Sequence, residues 1–187
     1  MPTTNLHYVS AKKELPRVLF YKRPNRSVMK PAQTEFIAFS TNGDRNWGEL
    51  VVHETRLSHR DDYNGKTLAI DYIASQEKRK GLGTEIIEFA KNYSKIKNCN
   101  GYLILKADST FDKKNVSHVF YRKQGFSTLD KLTDKNLDFF VKHRKNATSK
   151  DFSSILMFYP PKQHQSIFGK LKTFFKNFIN INKELSK

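Results

Sequence analysis

The residues best suited to chemistry in this chain are two glycines, Gly81 and Gly83, within Lys78-Arg79-Lys80-Gly81-Leu82-Gly83-Thr84. Backbone without a Cβ lets a ligand approach the main chain closely. An apolar strand-like run ends at Ser75 and an amphipathic helix-like run begins around Gly83. The glycines therefore fall where a helix presents unpaired amide N–H groups and partial positive charge. Such a place takes an anion, most often a phosphate. Lys78, Arg79 and Lys80 add neutralising charge, and Thr84 adds a hydroxyl in the first turn. The spacing is not GxxxxGK[ST], and it is not GxGxxG, because residue 86 is Ile. A tight turn with solvated lysines explains a G-x-G equally well, so a second feature is required.

Other chemistry is poorly served. "HETRLSH" (53–59) lacks the H-E-x-x-H spacing, and a single cysteine cannot build a zinc cluster, so no metal is expected. That cysteine, Cys99, lies between a helix-like and a strand-like run and reads as a packing or surface thiol. With no partner for a disulfide, a reducing compartment suits the chain.

The elements that must position the glycine turn are legible on both sides of it. Before it, "RVLFY" (17–21), "TEFIAF" (34–39), "WGELVVHE" (47–54) and "KTLAIDYIAS" (66–75) read as strands, as does "LHYV" (6–9). Asn42-Gly43 and Asn64-Gly65 separate three of them, and Asn-Gly favours the type I′ hairpin turn, which predicts an antiparallel meander. After it, Leu82, Ile86, Phe89, Ala90, Tyr93 and Ile96 recur at spacings of three and four, the stripe of an amphipathic helix. "GYLILKA" (101–107) follows as a buried strand. A helix over "NVSHVFYRKQ" (115–124) ends at Gly125, "LTDKNLDFFVKHRK" (132–145) reads as another short helix, and "SSILMFYP" (153–160) as a last strand. The order predicts an α/β chain with a mixed, mostly antiparallel sheet. A helix between "KTLAIDYIAS" and "GYLILKA" makes those two strands parallel.

The second feature is "FYRKQGF" (120–126), on the helix after the next strand. A strand, "KRKGLGTEII", a helix, a strand and then "YRKQGF" resemble the GNAT superfamily of acetyl-CoA-dependent N-acetyltransferases, over roughly residues 34 to 127. The family's [Q/R]-x-x-G-x-[G/A] motif is met by Lys78 to Gly83 in all but the first position, where lysine keeps the charge without arginine's fork. Its Y-x-x-x-G-F motif is met by Tyr121, Gly125 and Phe126.

The resemblance implies a GNAT-like fold: a sheet splayed open between the two parallel strands, helices on both faces, and acetyl-CoA in the opening. It implies a pyrophosphate on the amides from Arg79 to Thr84 and a pantetheine arm along Ile73, Ala74 and Ser75. The oxyanion donor would be a backbone N–H near Ile73. The family's asparagine before the second helix is matched by Asn115, six residues before Tyr121 rather than the frequent seven. Tyr121 is the implied general acid for the leaving thiolate. The base is open: Asp71, two residues before Ile73 and so on its face of a regular strand, with Glu49 and His53 on the neighbouring strand and His118 further on. The two helices the family carries between its first and second strands have no counterpart here, so no residues are assigned to the acceptor wall.

The expected activity is direct acetyl transfer to a primary amine on a small molecule, a peptide or an aminoacyl-tRNA. The alternative is a catalytically silent GNAT-like module that binds RNA or an anionic membrane. Charge leaves both open: 34 basic against 18 acidic residues gives +16, a field for polyanions. The domain is expected over 1–160, with a separate basic segment over 161–187. In that segment Ile167, Phe168, Leu171, Phe174, Phe175, Phe178 and Ile179 form an apolar face at helical spacing, with Lys170, Lys172, Lys176 and Lys183 on or near the other. It suits a membrane surface, a partner, the domain itself or a possible homodimer. The N-terminus has no apolar h-region, so a cytoplasmic protein, membrane-peripheral through this segment, is expected.

Overall fold

Alternating apolar residues carry the chain through four strands before its first long helix. The computed structural model describes residues 18–23, 33–41, 46–57, 63–76, 78, 80–108, 113 and 116–160. Strands β1 (Val18–Arg23), β2 (Gln33–Ser40), β3 (Trp47–Arg56) and β4 (Lys66–Ser75) form an antiparallel meander. Helix α1 (Leu82–Ile96) crosses over to β5 (Leu103–Ala107), which pairs parallel with β4. Helices α2 (His118–Lys123) and α3 (Lys131–Lys142) precede β6 (Ile155–Tyr159), antiparallel to β5. The result is an α+β chain around one six-stranded mixed sheet, ordered β1 to β6.

The core lies on the sheet face that α1 covers. Phe20, Phe36, Leu50, Val52, Leu68 and Ile70 are buried there, and the Phe89 ring of α1 stacks on Phe20 at 4.0 Å and meets Phe36 edge-on at 4.9 Å. The helical stripe holds from Leu82 to Tyr93 and stops there, because Ile96 is exposed at the last turn. Helix α2 runs beside α1: Lys91 of α1 donates to the Gln124 carbonyl at 3.0 Å and sits over the Tyr159 ring of β6. Helix α3 packs on α2, where Arg122 grips both oxygens of Asp138 at 2.7 and 2.8 Å. Helices on both faces were expected. Among the described residues α1 covers one face, α2 runs alongside α1, and α3 packs on α2.

Asn64-Gly65 does not form the expected type I′ turn. Neither residue has positive φ, and Leu57 N–H bonds the Gly65 carbonyl across a longer connection between β3 and β4. Asn42-Gly43, "LHYV" and the basic segment 161–187 lie outside the described residues. Nine residues, 24–32, join β1 to β2. No helix of the described residues is long and apolar enough to cross a membrane.

Candidate functional site

The sheet opens where β4 and β5 part. Their parallel pairing covers only Leu68–Leu103, Ala69–Ile104 and Ile70–Leu105, although β4 continues to Ser75. At that point β4 carries a bulge: Val52 faces Ile70 and Val51 faces Tyr72, so Asp71 is the extra residue. A bulge bends its strand and sharpens its twist, which turns the end of β4 away from β5. Between the parted strands lies a cleft of about 770 Å³, a common size for a small-molecule site.

The residues expected at such a site sort into three groups. Asp71, Ile73, Ala74, Ser75, Lys78, Gly81, Gly83, Thr84 and Tyr121 line the cleft. Lys80 and Leu82 do not, and the Leu82 side chain is buried in the core instead. Arg79 and Asn115 lie outside the described residues.

The two glycines do different jobs. Gly81 is the residue before α1, at φ 87°, a left-handed conformation that glycine adopts without strain. No side chain caps the helix there. Thr84 and Glu85 turn their amides back onto the Gly81 carbonyl at 2.9 and 3.3 Å, and the amides before them have no acceptor within the helix. Gly83 is needed for a second reason: a Cβ there would lie 3.3 Å from the Phe120 ring of α2. Its bareness lets α2 close on α1, which the sequence reading credited to ligand approach alone. The Thr84 hydroxyl accepts a long bond from Gln124 Nε2 at 3.3 Å.

Tyr121 is buried between Phe120 and Phe126, whose rings meet it at 5.2 and 5.9 Å. Burial pushes its phenol up to about 12, partly offset by a hydrogen bond with Ser117. The group therefore keeps its proton across the physiological range.

The candidate bases are rearranged by the bulge. Strand alternation placed Asp71 on the face of Ile73. In the structure Ile73 pairs with Leu50 on the core side, whereas Asp71 reaches the opposite side. There its Oδ2 lies 2.7 Å from His53 Nδ1 and accepts from Gln33 Nε2 at 2.8 Å. The carboxylate accepts, so the imidazole donates from Nδ1. Asp71 and His53, offered by the sequence as alternatives, are one pair. Glu49 is 3.4 Å from Arg23. His118 is no cleft residue: it is fully buried beside Phe152, with Nε2 2.8 Å from the Ser153 carbonyl, and burial lowers its pKa. Cys99 is buried, and burial pushes its thiol up, which suits packing rather than attack.

Sequence reasoning missed one wall. Arg144, Lys145, Asn146 and Ala147, just past α3, line the cleft together with Lys106 and Lys123. Val116 N–H bonds the Ala147 carbonyl at 3.0 Å and pins this stretch in place. The only sequence signal was the basic pair Arg144-Lys145 after a helix, indistinguishable in a chain this basic. With Lys78, the cleft holds five cationic side chains against Asp71 and Asp108, a balance for an anionic ligand. Among the described residues no three His, Cys, Asp or Glu side chains gather as metal ligands.

No family model matches the chain, and no curated protein matches it. Among solved structures it is similar to a chain described as "The crystal structure of KacTA-DNA complex", at 15% identity and a TM-score of 0.40, over 79% of this chain and 75% of that one. A likeness of that size carries no argument about fold or function.

Proposed function

We propose that the chain is an N-acetyltransferase with a GNAT-like fold that moves an acetyl group from acetyl-CoA directly to a primary amine. The observation that carries this reading is the meeting of its two motifs. Lys78, Gly81, Gly83 and Thr84 from one, and Tyr121 from the other, line the same cleft beside the end of β4.

The residues present fit acetyl-CoA. The uncapped start of α1 with Lys78 suits its pyrophosphate, and the backbone of Ile73 to Ser75 offers a strand edge to its amide-bearing arm. Bound acetyl-CoA supplies an activated thioester; as the N–C bond forms and the C–S bond breaks, the amine loses one proton and the sulfur gains one. Tyr121, which lines the cleft, suits a hydrogen bond to the departing sulfur. Full proton transfer from a phenol near 12 to a thiolate near ~8.5 is uphill by about 5 kcal/mol. Its contribution is therefore a hydrogen bond to developing charge in a dry wall, with the proton itself coming from the amine. Asp71, which lines the cleft and is held by His53, suits removal of that proton.

Thr84→Glu tests the reading with the fold kept intact. Position 84 is third in α1, where glutamate favours a helix, yet the new charge would face any phosphate. Calorimetry of acetyl-CoA should show binding to the wild type, weakened on the order of 10²-fold in the variant. A folded wild type that binds no acetyl-CoA sinks the proposal. Equal binding by both proteins moves the site elsewhere.

A further inference from the structure

The sheet face opposite α1 carries an apolar patch, and no described helix packs on it. Register places Tyr21, Ile37, Phe39, Trp47, Val51 and Tyr72 on that side. Tyr21 is 40% exposed, Phe39 43%, Trp47 38% and Tyr72 51%, so four large aromatics of one face stand in contact with water. Tyr21 and Phe39 meet edge-on at 5.8 Å, which makes the patch continuous across β1 and β2. A sheet buries each apolar face against another layer, and contiguous exposed patches mark docking sites.

We infer that this face is the seat of the chain's own segment 161–187. Four observations favour that occupant. The first is pattern: the apolar residues from Ile167 to Ile179 recur at helical spacing, so that as a helix they would offer a one-sided surface of the kind a bare sheet face accepts. The second is charge. In a chain of net +16, β1 to β4 present Glu35, Glu49 and Asp71 on this face against Arg23 alone, while segment 161–187 holds six lysines and one glutamate. The third is reach. The chain leaves β6 at Tyr159, opposite Leu103. Residues 161–166 span up to about 20 Å, and β3 lies roughly 14 Å across the sheet from β6. The fourth is tethering: a segment on so short a linker meets its own domain at an effective concentration on the order of millimolar, ahead of a dilute outside partner. The sequence stretches that flank β1, 1–17 and 24–32, have no comparable apolar stripe. The inference stands independently of acetyl transfer.

Trp47 is the only tryptophan and lies within the patch, so its fluorescence reads the seat directly. In the full chain, Phe174→Asp with Phe178→Asp should shift Trp47 emission to the red and raise its quenching by acrylamide, with the far-ultraviolet spectrum of the domain retained. From the sheet side, Phe39→Glu should speed tryptic cleavage at Lys170 and Lys172 by roughly tenfold, because the segment would spend more time unseated. Trp47 emission and quenching unchanged by the paired substitution overturn the proposal. So does emission that shifts on dilution, which assigns the face to a second copy. So does emission that moves to the blue only on adding phosphatidylserine vesicles, which gives the segment to a membrane. Emission independent of concentration and of vesicles, with both variant effects present, establishes the intramolecular seat.

Discussion

Helices α1 and α3 begin in opposite ways. Helix α3 starts from Asp130 in an extended conformation, whose carboxylate accepts from the amides of Leu132 and Thr133 at 3.2 and 2.8 Å and from the Thr133 hydroxyl at 2.6 Å. Helix α1 starts from a left-handed glycine with no side-chain cap. Free amide donors cost stability unless something else satisfies them. The chain closes the terminus that only supports α2 and leaves open the one that borders the cleft. Local stability and a place for a ligand compete for the same few N–H groups, and each helix resolves that competition differently.

The strongest way to break the contrast is one substitution made twice. Thr84 and Thr133 each stand third in their helices. Thr84→Glu should weaken acetyl-CoA binding on the order of 10²-fold and leave the melting temperature unchanged or higher. Thr133→Glu should leave binding unchanged and lower the melting temperature, because its carboxylate meets that of Asp130. If both variants bind acetyl-CoA alike, the open terminus has no special role. Next in size, Tyr121→Phe should cut turnover of an acetylated amine about 10²-fold while changing acetyl-CoA affinity less than about threefold. A parallel loss of affinity would make the phenol a packing residue.

Smaller effects sharpen the capped side. Asp130→Ala should lower the melting temperature by a few degrees without touching ligand affinity. The Thr133 hydroxyl, then the Thr133 and Leu132 amides, hold the Asp130 carboxyl below its usual range. Its stabilisation is therefore present above the ordinary aspartate value of about 3.9 and lost as pH falls through the lower native one. The wild type and Asp130→Ala should converge in stability over that acid window. Last, Gly81→Ala meets no atom within 4 Å, so its whole cost is the left-handed backbone, about 1 kcal/mol in urea unfolding.

Periodicity made most of the fold legible. The run 66–75 is β4 to the residue, and the stripe starting at Leu82 is α1. What periodicity could not carry was anything set by a partner strand. Whether Asp71 shares a face with Ile73 depends on a bulge, and a bulge is decided by how β3 and β4 twist together, not by the residue types alone. The Asn64-Gly65 turn failed for a like reason: the dipeptide favours a tight hairpin, but the strands it joins are closed by a longer loop. Of the candidate site, the glycine turn and Tyr121 were visible because their chemistry is tied to short spacing. The wall from Arg144 to Ala147 was not, since four ordinary residues become a wall only by where α3 delivers them.

The shortness of the β4–β5 pairing also bears on how the molecule breathes. Three rungs join the meander to the antiparallel pair of β5 and β6, whereas β3 and β4 pair along nearly their whole length. Openings that separate two cooperative units begin where fewest bonds must break. Amide deuterium exchange at Ile104 should then outpace exchange at Leu50 and Val52. The two halves of the sheet would behave as separate folding units sharing one seam, and whatever occupies the cleft would act as the stitch.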